Sequence, residues 1–526
     1  MAEPSKLSIM KNVPLFVVFS FLTTVGFAQN VTFSNKVANI IYNNCTTCHR
    51  QGAIAPFTLE NYQDIYNNRY AIQNDVTNKV MPPWSPNSNY THFLNERKLT
   101  SDQIALITNW VNNGAEEGDV ATEPALPVFN DGSKLTNPDF SSRITPHTVN
   151  TPDNLDDFEF FSLPSGLTIN ASIKQMELVP SNRKIVHHIF VFIDSTGNFT
   201  KFVNDGGHVN GNNYISGGNL DELKLIGGWL PGGYYQTMPD NMGIRVPRNS
   251  HYIVQIHYAP GSNGQTDQTQ LNIVYSREQN LRNLTVKPLL DNVVNLVGGP
   301  LFIPHDQIKV YHELYTVLSD ISLVSIMPHQ HKIGVRMLVW VERPSTSETI
   351  PLIDDKWDFH WQSIYTFPKV IHLQAGDIIH AQGTYDNTTN NRENPNYPPK
   401  DIVQGTSTLT EMMQVFFSYL PYQPGDENID LSSINSPVIV QNADPISSFT
   451  VFPNPAISGG ELNLKIVPSA IYGVELYSID GKLIQGYAPM DASNKMTITL
   501  PQLPAGLYFV KVHNANNVTA QKFQVE

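Results

Sequence analysis

"IVHHIFVFID", residues 185–194, decides the fold. Its apolar residues are β-branched or aromatic, and polar turn residues stand on both sides, so it reads as a strand. It also carries two adjacent imidazoles. Similar short runs recur: "HYIVQIHYAP" (251–260), "IKVYHELYTVLS" (308–319), "VRMLVWVE" (335–342) and "MMQVFFSYL" (412–420). Gly, Asn and Pro turns separate them. From about 130 to 425 the chain therefore predicts two β-sandwiches or one large one.

The flanking regions differ. A chain of 526 residues is too long for one core. Residues 33–120 predict a small helical unit. "NKVANIIYNNCTTCH" (35–49) is helix-like up to its cysteines, and "TSDQIALITNWVNNG" (100–114) has an N-cap at Thr100 or Ser101 and a Gly stop. "EEGDVATEPALPVFNDG" (116–132) is a Pro-containing linker. Residues 426–447 read as a second linker, and 448–526 as a small separate β-sandwich. The expected class is mainly β, with a small all-α unit in front and a small β-sandwich behind.

Charged residues make up 15% of the chain and the net charge is −14. That charge argues against nucleic acid. "MKNVPLFVVFSFLTTVGFA" (10–28) has a Lys, an apolar run and small residues before a polar stretch, so residues 1–28 are expected to be a secretory signal peptide. No later stretch is apolar for long enough to predict a span in the mature chain.

Both cysteines lie in "CTTCH" (45–49). In CxxCH, two thioethers fix a porphyrin while the following His reaches the iron. Cys45, Cys48 and His49 are thus the expected attachment of one covalent haem c. A disulfide or half of a zinc site is the competing reading, and there is no second Cys pair for zinc. Met81, in "KVMPPWSP", is the expected sixth ligand, with His92 as the fallback. Residues 33–120 are therefore read as a cytochrome c domain.

The 16 histidines include two close pairs. His187 and His188 are adjacent, and His257 follows. His329 and His331 are two apart, and Met412 and Met413 follow. His329 and His331 would share one strand face. His187 and His188 would point oppositely unless the strand ends or bulges there. Imidazole with thioether favours copper, especially Cu(I), over zinc.

On these residues the β region resembles the copper type II, ascorbate-dependent monooxygenases, which include the peptidylglycine and dopamine hydroxylases. "KIVHHIFVF" resembles that family's HH strand, "VQIHYAP" its third-ligand strand, "MPHQHKIG" its HxH strand and "TEMMQVFFSYL" its Met segment. The resemblance implies two jelly-roll domains, 130–285 and 286–425, each holding one copper ion. It assigns His187, His188 and His257 to the first copper, leaving His251 as a neighbour. It assigns His329, His331 and Met412 to the second, where O2 reacts and a C–H bond is hydroxylated. Ascorbate or another donor would supply electrons, and the fused haem suits that delivery. Peptide-hydroxylating members have an Arg where Met327 stands, and an Asn and a Tyr at the positions of Gln414 and Phe416. An amidating peptide is therefore not the implied substrate. The rival reading is a non-enzymatic surface redox or copper-binding protein.

Two further resemblances complete the chain. "CTTCH", "GAIAPFTLENY" and "MPPW" resemble the cytochrome domain fused to bacterial members of that family. "VFPNPA", "IDGKLI" and "LPAGLYFVKV" resemble the sorting domain of the type IX secretion system. The latter implies export to the cell surface or beyond by that machinery.

Overall fold

The computed structural model describes residues 30–526, apart from 130, 136, 153–155, 205–221, 234, 279, 406, 433–449, 466–472, 480–481, 488–494 and 514–517. The expected signal peptide and most of the second linker lie outside the described residues. The fold is mainly β, and the four largest hydrophobic cores among the described residues follow in chain order.

The first unit is helical. A π-turn, Phe33–Val37, runs into helix Ala38–Asn44, which ends at Cys45. Helix Ser101–Asn112 begins at Thr100, whose side chain accepts from Gln103 N while the Gln103 side chain reaches back to Thr100 N. This reciprocal cap settles the choice between Thr100 and Ser101. Helix Tyr62–Thr77 was not legible in the sequence. It buries only Ile65, Ile72 and Val76 among mostly polar residues, so its apolar stripe is thin.

Residues 140–283 form a β-sandwich. One sheet orders Phe140–Arg143, Gln270–Tyr275, Ala171–Val179, Met242–Val246 and Arg282–Asn283. The facing sheet orders Asp157–Pro164, His251–Tyr258, Val186–Asp194 and Lys224–Trp229. A second sandwich spans 285–421. Its sheets order Thr285–Asp291, Gln414–Pro421, Ile321–His329 and Tyr365–Leu373, against Gln307–Thr316, Ile378–Asn387, Gly334–Arg343 and Glu348–Asp355.

Strand Ile321–His329 is buried at every position except its last. It faces its own core on one side and the first sandwich on the other, which explains a continuous apolar run. Phe190 and Leu225 of the first sandwich meet Val286, Met327 and Phe416 of the second there.

The units are not strung as beads. From the first unit, Phe93 enters the second sandwich's core. Asn87 N donates to Asp354 O at 2.8 Å and Leu94 N to Thr366 O at 2.9 Å. Thr47, inside CTTCH, abuts Gly232, where a Cβ would lie 2.6 Å from the Thr47 methyl. Gly232 also has φ +72°, so both conformation and contact select glycine.

The second linker starts later than expected. Asp426 accepts from both Nη atoms of Arg282 at 2.7 Å, and Leu431 is fully buried in the first core. A polar composition hid these contacts, because a single buried Leu decides the packing. The tail forms two sheets, one ordering Thr450–Phe452, Glu461–Lys465 and Lys495–Thr499, the other Leu483–Tyr487, Gly473–Ser478, Gly506–His513 and Val518–Val525.

Candidate metal centres and their surroundings

Strands Val186–Asp194 and His251–Tyr258 pair antiparallel with Val186 opposite Tyr258 and His188 opposite His257. The register shifts between Val186 and His188, making His187 an extra, bulged residue. The bulge turns His187 towards its neighbours, which a regular strand would forbid. His187 Nδ1 lies 3.4 Å from His188 Nδ1, which lies 3.3 Å from His257 Nδ1. Three imidazoles thus converge with one ring nitrogen each.

The group is built from outside as well. Phe158 stacks on His257 at 4.2 Å between centroids, with 11° between planes. His257 Nε2 donates to Asp156 Oδ1 at 2.8 Å, and Lys332 Nζ of the second sandwich donates to Asp156 Oδ2 at 3.1 Å. Burial pushes the Asp156 carboxyl up, but the bonds from His257 and Lys332 outweigh it and hold it below its ordinary range. His360, also from the second sandwich, sets its ring 5.7 Å from that of His187. Its hydrogen bond to Asp358 raises its pKa.

Burial lowers His187 to about 3 and carries His188 well below its ordinary value. It also lowers His257, although Asp156 opposes the shift. All three rings are neutral at pH 7, with lone pairs free for a metal. The chemistry fits a three-imidazole ion site whose outer carboxylate orients one ligand.

In the second sandwich, His329 ends its strand and His331 lies just past it. Their centroids are 5.3 Å apart. His329 Nδ1 pairs with Gln362 Oε1 at 3.0 Å, and His331 Nδ1 with Thr410 O at 2.8 Å. Each ring then has Nε2 left for another partner. Burial lowers His329 to about 4 and, with the His329 ring beside it, His331 to about 3.

Strand Gln414–Pro421 pairs with this strand, Gln414 opposite His329. The ladder ends at that pair, and Met412 and His331 each lie two residues beyond it on their own segments. Glu411 bridges the two segments by accepting from His331 N and Ile333 N at 2.8 Å each. Burial raises Glu411 to about 8, partly offset by those donors. Met413 is fully buried in the core, while Met412 is half-buried. The alternation of a strand therefore separates the two methionines. His251 sits opposite Asp194 at the far end of its strand, away from His257.

In the first unit, His49 N donates to Cys45 O at 2.9 Å, one helical turn that gathers the motif. His49 Nδ1 pairs with Phe57 O at 3.1 Å, so Nε2 is the ring nitrogen that could reach an iron. Cys45 and Cys48 are free thiols, not a disulfide. Burial, with Cys48 beside it, pushes Cys45 up to about 12. These features fit covalent haem attachment. Met81 is exposed after helix Tyr62–Thr77, and His92 is exposed and bonded to Glu96. A cavity opens where the first three units meet, lined by Trp84, Arg97, Trp229, Trp361, Gln362 and Tyr365. Gln362 is the residue that holds His329.

Sequence reasoning missed Asp156, His360, Gln362 and Lys332. Each acts from a different unit or strand, and no local spacing marks it.

Two family models match parts of the chain. Residues 308–441 match the model of the copper type II ascorbate-dependent monooxygenase, C-terminal domain. Residues 450–526 match the secretion system C-terminal sorting domain. Residues 308–441 are thus similar to a copper monooxygenase C-terminal domain, a family that implies copper and O2, and residues 450–526 to a sorting domain, which implies export to the cell surface or outside. No helix among the described residues is long and apolar enough to cross a membrane. No curated protein matches the chain. Among solved structures, the BSP domain of a biofilm-associated protein is 10% identical, with TM-score 0.17, covering 76% of this chain and 84% of its own. PNGase F, a glycosylasparaginase from Flavobacterium meningosepticum, is 7% identical, with TM-score 0.19, covering 56% and 92%. Likenesses of this size carry no argument.

Proposed function

We propose that this protein is an exported, two-copper monooxygenase that hydroxylates a C–H bond of an organic substrate, with a fused haem c as electron inlet. The observation that carries the reading is the convergence of His187, His188 and His257 in one sandwich, with the neutral His329–His331 pair at the edge of the other. The first cluster fits a copper held by imidazole alone. The second, completed by Met412, fits a copper held by two imidazoles and a thioether.

Copper held in these sites would supply one-electron chemistry, with two electrons and two protons per turnover from a donor, so that O2 and a C–H bond give a hydroxylated product and water. The protein's own residues set the conditions. Buried, neutral rings present lone pairs without a proton to displace. Asp156 orients His257, Gln362 orients His329, and Glu411 fixes the loop that carries His331. Met327 and Phe416, next along the sheet from these ligands, pack with Phe190 and Leu225 as the buried apolar seam that holds the two sandwiches together.

Cys45, Cys48 and His49, with Met81 as a further candidate ligand, would hold a haem, which would supply electrons singly. Its attachment loop touches Gly232, and Arg97 donates to Pro231 O at 2.8 Å. The Arg97 guanidinium lies 5.1 Å from the Trp361 ring centre, and Gln362 follows in the chain. Contacts therefore run continuously from the motif to His329. The type IX machinery would carry the chain out through its tail.

The test is metal and haem content per full-length chain, followed by anaerobic mixing of reduced haem with oxidised copper sites. Two coppers, one haem and haem reoxidation without O2 are expected. Zinc in place of copper, or no haem reoxidation, would sink the reading.

A further inference from the structure

Among the described residues, one other group has metal-ligand geometry, and the function above does not use it. Asp157 and Glu159 stand two apart on strand Asp157–Pro164 and project from one face. His147 comes from the short strand His147–Thr148. One donor atom from each lies within 4.8 Å of the other two.

Two of these donors are stranded. His147 Nε2 is 3.8 Å from Asp157 Oδ2, too far for a hydrogen bond. That nitrogen and Asp157 Oδ1 are both buried without a hydrogen-bond partner, and Asp157 is only 2% exposed. Leaving such groups unpaired is costly, so the arrangement calls for a third party. The surroundings hold the groups in place independently of each other. His147 stacks on Tyr258 at 5.3 Å and meets Phe161 edge-on at 5.7 Å. Asp157 is fixed by its register opposite Tyr258. Asp267, opposite His147 in the ladder, adds a third carboxylate. Neutral donors satisfy it: the hydroxyls of Ser181, Thr269 and Tyr258 all point at it. The local field is therefore negative.

We propose that His147, Asp157 and Glu159 hold a divalent cation, with Zn2+ the best match. One imidazole and two carboxylates suit zinc; Cu(I) would favour a soft sulfur donor, and calcium would favour oxygen alone. Tetrahedral zinc ligands stand about 3.3 Å apart, so closing the His147–Asp157 gap needs only a small side-chain shift. Such an ion ties the short strand to the first residue of the strand that follows Asp156. It thereby clamps the backbone beside the carboxylate that orients His257.

The experiment uses full-length protein stripped by chelator, saturated with copper and then titrated with Zn2+ by calorimetry and elemental analysis. One further equivalent of zinc is expected, with copper retained. Asp157→Asn and Glu159→Gln should each weaken that zinc at least about tenfold while copper content and circular dichroism stay unchanged. Glu159 is the more exposed of the two, so its variant decides the matter if Asp157→Asn misfolds. Zinc that enters only by displacing copper, no further zinc, or unchanged zinc affinity in the variants would overturn the proposal. Because copper is measured in the same samples, failure here is distinguishable from failure of the copper reading.

Discussion

His188 Nδ1 lies 3.3 Å from His257 Nδ1, across two strands on which the residues stand directly opposite. The ladder fixes the two Cα positions, so both rings start from the same face of the sheet. The bulge at His187 adds the third ring to a pair already fixed by the backbone.

His257→Ala should therefore remove one copper equivalent and leave the other. Asp156→Asn keeps the shape but loses the charge that holds His257 Nε2 and Lys332 Nζ. It should weaken that copper by about 10–100-fold. Elemental analysis and competitive chelator titration check both. Unchanged affinity in both variants would remove this cluster from the metal sites.

Met412 and Met413 should behave oppositely. Met412→Ala should lower copper affinity with little loss of stability, because its side chain is only half-buried. Met413→Ala should keep the copper but cost about 2–5 kcal/mol, because it empties a fully buried core position. Copper content and calorimetric melting separate the two outcomes. Copper loss confined to Met413→Ala would reverse the assignment.

Cys45→Ser should abolish one thioether, and Cys45→Ser with Cys48→Ser all covalent haem. Haem absorbance that survives acidic organic extraction reports this. His49→Ala should leave haem attached but change its axial spectrum. A parent chain expressed with cytochrome c maturation factors that still carries no haem would contradict the reading of the first unit.

Glu313 is fully buried, and neither carboxylate oxygen has a hydrogen-bond partner. Burial, with Asp291 nearby, raises it from 4.5 to about 9. A folded-state pKa above the unfolded one means the unfolded chain releases its proton first as pH rises. The stability associated with this group is thus complete below pH 4.5 and is lost as pH climbs towards 9. Glu313→Gln, which cannot ionise, should be nearly neutral near pH 4.5. By pH 7 it should stabilise the second sandwich by on the order of 3 kcal/mol. Calorimetry across that range checks the slope; parallel melting curves for parent and variant would refute it.

Local pattern was enough for the strands. Alternating β-branched and aromatic residues can bury only as sheets, so the mainly β class follows from order along the chain. CxxCH and Thr100 act within one helical turn, so they too are legible locally. Which imidazoles meet is a different matter. His187 joins His188 only because a bulge re-aims it, and a bulge depends on the partner strand's register. Met412 and Met413 are adjacent and alike in type; the resemblance favours Met412, and burial of Met413 against the core separates them physically. Asp156, Lys332 and His360 reach the first cluster from separate segments of chain. The same holds for His147 with Asp157 and Glu159. Such contacts arise when sheets stack, and pairwise distance across a stacked interface leaves no period in the sequence.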